Sequence, residues 1–242
     1  MMKQLLLAGL LALGAMTAVA QAAALQVAPV RLDVPAPGAA SKITLRNAGD
    51  TAINAQVRIF RWTQVKGKDV LAETRDVVAS PPIVKLDPAK SNVIRIVRTS
   101  KTPIEGEEAY RLIVDELPPA HGKAGLSINF VLRYSIPVFF NAAAQKADAL
   151  DWSVRSRNGK TVVTVVNSGG NHLRLSGLSL KPEGGRPVDF GPGLVGYVLA
   201  NSTARFELRK PVKGLRPGST VLLTAEGNDG PVQAKAEVAA AN

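Results

Sequence analysis

Apolar and polar residues alternate over an unusually long run, residues 126–140. The even positions carry the apolar side chains Leu126, Ile128, Phe130, Leu132, Tyr134, Ile136, Val138 and Phe140. Because successive side chains of a β-strand point to opposite faces, a period of two predicts a strand. At ~3.3 Å per residue this strand would be about 50 Å long, whereas an ordinary strand has about five or six residues. Pro137 lies inside the run and has no N–H to donate, which predicts an edge strand or a bulge.

An apolar edge strand of this length is normally an aggregation hazard, because its free N–H and C=O groups invite pairing. A protein that keeps such an edge can use it to add a strand from another chain. The pattern therefore predicts a strand that is left available to a partner.

The rest of the apolar pattern also predicts β-strands. From Leu25 onward, short apolar runs alternate with turns rich in Gly, Pro, Asn and Asp, and no helical period of 3.6 persists for three turns. Asn158-Gly159 between two strand-like runs predicts a tight hairpin. Residues 92–99 are apolar at most positions, which predicts a strand buried on both faces. Strands at this spacing predict β-sandwiches.

The first residues predict a targeting segment that is not part of the fold. Lys3 precedes an apolar run at residues 5–19, and Ala20-Gln21-Ala22 is a small-x-small cleavage sequence. We expect a signal peptide at residues 1–22, with an uncleaved anchor as the alternative. Residues 141–148 have no bulky apolar side chain and predict a hinge. Two β-sandwich domains are therefore expected, at residues 23–143 and 146–242.

Composition excludes several classes of function. The chain has no Cys, which rules out thiol catalysis and Cys-based metal sites. The net charge is +11, but Lys and Arg are spread along the chain. Export argues against nucleic acid as a partner, which leaves either a solvated basic surface or the steering of acidic partners.

The sequence also contains no recognisable catalytic motif. The two histidines, His121 and His172, lie in polar, turn-like contexts, and we expect both at the surface. The sequence contains no nucleophile elbow, zinc-protease motif, P-loop or dinucleotide fingerprint. We therefore expect no enzymatic activity, no cofactor and no metal.

Several motifs together resemble the PapD-like periplasmic pilus chaperones of the chaperone–usher pathway, in particular the archaic branch. These motifs are, in chain order, Val30-Arg31-Leu32, Ser80-Pro81-Pro82-Ile83 with Leu86-Asp87-Pro88, Asn92-Val93-Ile94-Arg95, and the run from Tyr110 to Pro119 that ends in Glu-Leu-Pro-Pro. The resemblance implies two immunoglobulin-like β-sandwich domains joined by a short hinge, and a periplasmic location. It also implies a function: the chaperone lends an edge strand to a pilus or fimbrial subunit that lacks its last strand.

The resemblance further implies a pair of basic residues that anchor the C-terminal carboxylate of the subunit. Arg31 matches the first anchor of the family. The better-known members have a lysine in the last strand, where this chain has Pro137, so Arg111 on the preceding strand is the substitute candidate. Arg133 is the runner-up. An arginine suits this task, because its planar fork can donate two charge-assisted hydrogen bonds to a carboxylate.

The implied donor residues are Leu126, Ile128, Phe130 and Leu132, and the alternative role for them is ordinary core of a last strand. The resemblance also implies an outer-membrane usher as a partner. Self-association through the free edge remains open. From the residues alone, the alternative function is an exported adhesion or carbohydrate-binding module, which would need exposed aromatic side chains. Trp62 and Trp152 both lie within strand patterns, and we expect both in the core.

Overall fold

The computed structural model describes residues 24–118, 131–142, 149–157, 159–208 and 210–240. The regular elements within these ranges are all β-strands, which confirms the all-β prediction. In chain order they are β1 (Leu25–Ala28), β2 (Leu32–Pro35), β3 (Ala40–Asn47), β4 (Ile53–Val65), β5 (Lys68–Glu73), β6 (Val77–Ser80), β7 (Ile83–Leu86), β8 (Ser91–Arg98), β9 (Glu107–Leu117), β10 (Arg133–Asn141), β11 (Leu150–Arg157), β12 (Lys160–Asn167), β13 (Leu173–Pro182), β14 (Val188–Asp189), β15 (Leu194–Val198), β16 (Ser202–Leu208), β17 (Thr220–Glu226) and β18 (Pro231–Ala239). In the part of the chain covered here, no helix is long and apolar enough to cross a bilayer.

The first two sheets face each other and form one sandwich. Their strand orders are β1-β3-β8-β6 and β2-β10-β9-β4-β5, with β7 paired to the start of β4. Alternate residues of each strand point between the sheets, so that Ile43, Ile94, Val57, Leu112 and Val138 share one buried core. The outward side chains lie on the two remaining faces of the sandwich.

The prediction that residues 92–99 are buried on both faces is wrong. β8 buries Ile94 and Ile96 in the core, but Val93 on its other face is 44% exposed. The reason is that β8 belongs to a sandwich and not to a sheet covered on both sides. A run of β-branched residues does not by itself distinguish these two environments.

The third sheet forms the second sandwich. Its strand order is β14-β13-β17-β18-β11-β12-β16, with β15 paired to β13, and it curls so that its strands enclose one core. The predicted hairpin is confirmed: Arg157 pairs with Lys160 across the turn, and Gly159 has the positive φ of 73° that such a turn requires. Trp152 is 9% exposed and packs in this core, as expected.

A third apolar cluster joins the two sandwiches. Trp62, Ala109 and Phe139 from the first sandwich pack against Tyr197 and Leu199 from the second. Trp62 is 1% exposed, which confirms its predicted burial. We call this cluster the joint, because its side chains pack between the first and the second sandwich.

The prediction of a surface position for His172 is wrong, because this residue is buried in the joint. Its ring stacks on that of Phe139, with 3.6 Å between the ring centres. Its Nδ1 lies 2.6 Å from Oε2 of Glu107. The backbone N–H of His172 donates to Oε1 of the same carboxylate at 3.0 Å. The polar neighbours of His172 in the sequence gave no sign of this burial, which depends on residues of the other sandwich. His121 lies outside the described residues.

The predicted segment boundaries remain predictions. The first two sheets use strands up to β10, and the third sheet uses strands from β11 onward, so the change of sheet falls between residues 141 and 150. The structure does not describe residues 1–23 or 143–148, which include the predicted signal peptide and most of the predicted hinge.

Candidate functional site

β10 has one half-open edge. On one side it pairs with β9 over its whole length, from Arg133 to Asn141. On the other side it pairs with β2 only from Val138 onward, in parallel. Residues 133–137 therefore have no strand beside them on that second side within the described chain.

Two hydrogen bonds fix which backbone groups face this open edge. The N–H of Glu116 in β9 donates to the carbonyl of Leu132, the residue before β10, at 2.8 Å. The N–H of Ala36, beside β2, donates to the carbonyl of Asn141 at 2.8 Å. Even-numbered residues of β10 thus bond toward β9 and odd-numbered residues toward the other side. Pro137 is odd-numbered, so its missing N–H falls on the edge, which confirms the predicted edge position.

The long alternating run is only partly within the described chain. Leu126, Ile128 and Phe130 lie outside the described residues. Leu132 lies just before β10, is half-buried and packs against the core of the first sandwich. The even residues that follow, such as Ile136, also face that core, which confirms the predicted alternation for the described part.

Arg31 and Arg111 lie on the two sides of Pro137. Arg111 is the direct partner of Pro137 in the β9–β10 ladder. Leu32 is the partner of Val138 in the β2–β10 ladder, so Arg31, one residue earlier, comes level with Pro137. Because Leu32 and Val138 both point into the core, the two arginines point to the opposite face of the sheet. The fold thus places both predicted anchors at the start of the open edge.

Arg31 is exposed and only weakly engaged. Its Nε donates to Oδ2 of Asp33 at 2.6 Å, and the two side chains are 40% and 34% exposed. Ion pairs at such exposed positions are worth about 0–1 kcal/mol. A ligand carboxylate could therefore replace or share this contact at little cost.

Arg111 is held by aromatic rings. The central carbon of its guanidinium lies 3.7 Å from the ring centre of Trp62 and 5.3 Å from that of Tyr197. Burial lowers the pKa of Arg111 below its ordinary value, an effect that the charge of Asp69 partly opposes. Arginine nevertheless stays charged at neutral pH. Among the described residues, Arg111 has no hydrogen bond to a carboxylate, so its cation lacks a counter-ion at close range.

Arg133, the runner-up anchor, is already paired. Its Nε donates to Oδ1 of Asp115, and Nη2 of Arg58 donates to Oδ2 of the same carboxylate at 2.7 Å. Burial alone would raise the pKa of Asp115, but the hydrogen bonds from Arg133 and Arg58 dominate and hold it below its ordinary value. This arrangement favours Arg111 over Arg133 as the group that is free to take a ligand.

Sequence reasoning missed the rings around Arg111. For Trp62 a signal existed: in β4 the core residues Ile53, Ala55 and Val57 are odd-numbered, so an even-numbered tryptophan belongs to the outer face. For Tyr197 there was no local signal, because this residue comes from the other sandwich.

The chain belongs to a family of pilus-assembly chaperones. A sequence model described as "Pili and flagellar-assembly chaperone, PapD N-terminal domain" matches residues 24–145. The family consists of assembly chaperones and not of enzymes, in agreement with the expected absence of enzymatic activity. A curated relative, "Chaperone protein LpfB" of Salmonella typhimurium, is 31% identical over 77 residues. That match spans 31% of this chain and 33% of the relative.

Solved structures of pilus chaperones resemble this protein over most of its chain. The chaperone–tip adhesion subunit complex CsuC–CsuE, from the archaic chaperone-usher Csu pili of Acinetobacter baumannii, contains a chain with a TM-score of 0.68 and 26% identity, covering 88% of this chain and 98% of that one. The complex of the SafA pilin with the SafB chaperone of Salmonella enterica gives a TM-score of 0.59 at 18% identity, covering 88% and 96%. These similarities confirm the predicted pair of immunoglobulin-like sandwiches.

Proposed function

We propose that this protein is a periplasmic chaperone that stabilises pilus or fimbrial subunits by donor-strand complementation. The observation that carries the proposal is the open edge of β10, which begins at Pro137 with an arginine on each side. In this proposal the edge supplies the missing strand of the subunit, and the arginines bind its C-terminal carboxylate. Residues 1–22 would direct export, and an outer-membrane usher would receive the complex.

The backbone of the edge supports the pairing. Arg133 and Ser135 point their N–H and C=O groups away from β9, where an incoming strand could bond to them. Such backbone bonds give affinity for many sequences, while side-chain pockets select the register. A chaperone with several clients needs this combination.

The two arginines support the direction of pairing. If the carboxylate lies level with Pro137 and the rest of the subunit strand lies along residues 126–136, the subunit strand runs toward its C-terminus in the same direction as this part of the chain. The subunit strand would therefore be parallel to β10. Arg111 contributes a cation with no close counter-ion, and Arg31 contributes one whose exposed pair with Asp33 is weak.

The apolar residues that precede β10 would supply most of the binding energy. Burying one large apolar side chain is worth ~1.5–3 kcal/mol. Four donor residues would therefore give about 6–12 kcal/mol before the ordering costs of association. They are Leu126, Ile128, Phe130 and Leu132.

Co-expression with a pilus subunit tests the anchors. We expect Arg31→Ala and Arg111→Ala each to abolish recovery of the soluble pair, because the carboxylate loses a charge-assisted partner. Arg133→Ala is the matched control, because Arg133 already has Asp115 as a carboxylate partner and, unlike Arg31 and Arg111, does not lie level with Pro137. Normal recovery with Arg111→Ala and loss with Arg133→Ala would exchange their roles.

A second experiment tests the donor residues. The double variant Ile128→Asp with Phe130→Asp places charges on the proposed donor face and should lose protection of the subunit against aggregation. The matched double variant Ser127→Asp with Asn129→Asp changes the same charge on the other face of the alternation and should keep it. Equal protection by both pairs would rule out the assigned face.

A carbohydrate-binding role has no comparable support. Trp62 and Trp152 are 1% and 9% exposed, so neither can form an aromatic platform for a sugar.

A further inference from the structure

Arg111, the proposed anchor on the first sandwich, contacts the ring of Tyr197 from the second sandwich. Tyr197 belongs to β15, and its ring meets Trp62 edge-on at 5.4 Å with an interplanar angle of 82°. The guanidinium of Arg111 lies over both rings. We call Trp62 and Tyr197 the aromatic clamp; one of its rings comes from each sandwich.

The position of Tyr197 is fixed by its surroundings. Its carbonyl accepts a hydrogen bond from Nε2 of Gln64 at 2.8 Å, and the N–H of Leu199 donates to Oε1 of the same amide at 2.9 Å. The centre of its ring lies 6.1 Å from the ring centre of Phe139 and 5.8 Å from that of His172. Tyr197 is 7% exposed. Contacts from both sandwiches therefore hold Tyr197 in the joint beside Arg111.

We propose that Tyr197 is a positioning residue for the carboxylate site, so that this site is complete only when both sandwiches are joined. The inference rests on the proposed anchor role of Arg111. A guanidinium carbon 3.7 Å from a ring centre is at stacking distance, and the N–H donors of arginine lie in the guanidinium plane. In this proposal Trp62 covers the face of the guanidinium, the nearly perpendicular ring of Tyr197 limits its position from the second sandwich, and N–H donors remain for a carboxylate.

Positioning matters because an arginine side chain is rich in rotamers. A free arginine loses much of this freedom when it binds a carboxylate, and that loss reduces affinity. The clamp removes the freedom before the ligand arrives, and the cation–π contact compensates part of the burial of the charge. The second sandwich would therefore contribute to subunit affinity without touching the carboxylate.

The experiment compares two peptides that copy the C-terminal strand of a pilus subunit, the strand proposed to pair with β10, one with a free C-terminal carboxylate and one with a carboxamide. Affinities for the full chain are measured by titration calorimetry. Tyr197→Ala should weaken binding of the carboxylate peptide about tenfold and leave the carboxamide peptide within about twofold. Tyr197→Phe keeps the ring and should keep the preference for the carboxylate.

A matched control separates the ring from the joint. Leu199→Ala removes apolar volume from the same cluster, two residues away, but takes no ring from Arg111. We expect this variant to keep the carboxylate preference. If Leu199→Ala abolishes the preference as fully as Tyr197→Ala does, then closure of the joint matters and the ring does not, which would overturn the inference.

Arg111→Ala distinguishes failure of the inference from failure of the proposed function. Loss of the carboxylate preference with Arg111→Ala but not with Tyr197→Ala would overturn only the role of Tyr197. An unchanged preference with Arg111→Ala would remove the anchor itself. Thermal unfolding of each variant identifies those that do not fold. If Tyr197→Ala is one of them, Tyr197→Leu tests the inference, because it removes the ring but keeps apolar volume in the joint and should also lose the preference for the carboxylate.

Discussion

Arg98 and Arg111 are both partly or fully withdrawn from solvent, but they meet opposite surroundings. Nε and Nη2 of Arg98 each lie 2.8 Å from a carboxylate oxygen of Glu108, and its side chain is 8% exposed. Arg111 lies against two aromatic rings and has no such carboxylate in the described chain. The difference indicates that Arg98 belongs to the scaffold, whereas Arg111 has no carboxylate partner among the described residues, as its proposed role as an anchor requires.

The network around Arg98 is satisfied at every step. The hydroxyl of Tyr110 donates to Oε2 of Glu108 at 3.0 Å, and Nη1 of Arg61 donates to the Tyr110 oxygen at 2.7 Å. Burial would raise the pKa of Glu108, but the hydrogen bonds from Arg98 and Tyr110 hold it below its ordinary value. Burial also raises the pKa of Tyr110 to about 12, so its hydroxyl keeps its proton. Such a network stabilises the fold, and within it Arg98 and Glu108 are engaged with each other.

The largest expected effect on stability comes from Arg98→Ala. This change leaves the carboxylate of Glu108 without its main partner and should lower the free energy of unfolding by about 3 kcal/mol. Urea denaturation followed by circular dichroism measures it. Lys85→Ala is the control, because its pair with Asp87 is exposed at 68% and 63% and should matter by less than about 1 kcal/mol. Similar losses in both variants would contradict the scaffold role of Arg98.

Gln64→Ala should have the next largest effect. The variant leaves the carbonyl of Tyr197 and the N–H of Leu199 without their partner in the joint, at a cost of about 2 kcal/mol in unfolding free energy. Gln56→Ala is the matched control, from the same strand and the same face. A control variant as unstable as Gln64→Ala would show that the amide bonds to the second sandwich are not responsible.

Acid should weaken the Arg98 network in a predictable window. Because the folded-state pKa of Glu108 is lowered, its contribution to stability is complete above the ordinary value of 4.5 and is lost as pH falls through the folded-state pKa. Glu108→Gln cannot titrate and should show a flatter dependence of unfolding free energy on pH below about pH 4.5. Urea denaturation between pH 7 and pH 3 measures both slopes. Parallel slopes would mean that this carboxylate is not stabilised in the fold.

Arg111→Ala should have the smallest effect on stability, which sharpens the contrast with Arg98. The lost contacts with Trp62 and Tyr197 are partly offset by relief from burying an unpaired charge, so we expect a change below about 1 kcal/mol. The same variant should lose subunit binding. A loss of stability equal to that of Arg98→Ala would make Arg111 a scaffold residue and remove the contrast.

Local pattern was sufficient for the strands. The alternation from Arg133 to Phe140, the hairpin at Gly159 and the burial of Trp152 all follow from period, turn chemistry and size, which depend on neighbouring residues. The burial of His172 could not be predicted in this way. It depends on Glu107 and Phe139, which are distant in sequence and meet His172 only across the joint.

The candidate site also combines features that the sequence predicted with features that depend on packing. The resemblance supplied Arg31 as the matched anchor and Arg111 as the substitute candidate, while the alternation and Pro137 predicted the edge. It could not identify Tyr197 as a neighbour of Arg111, nor could it indicate that Arg133 is paired with Asp115. Both facts depend on strand register and on the packing of one sandwich against the other.

The sequence alone therefore predicted the all-β class and the alternation seen in β10, because side-chain chemistry and period are local properties, and it supplied the candidate anchors. The sequence could not indicate which of these arginines lacks a carboxylate partner, because that depends on the packing of distant strands. Whether an arginine meets a carboxylate or a ring depends on which strands become neighbours, and here the decisive neighbours of Arg111 are Trp62 on the adjacent strand and Tyr197 from the other sandwich.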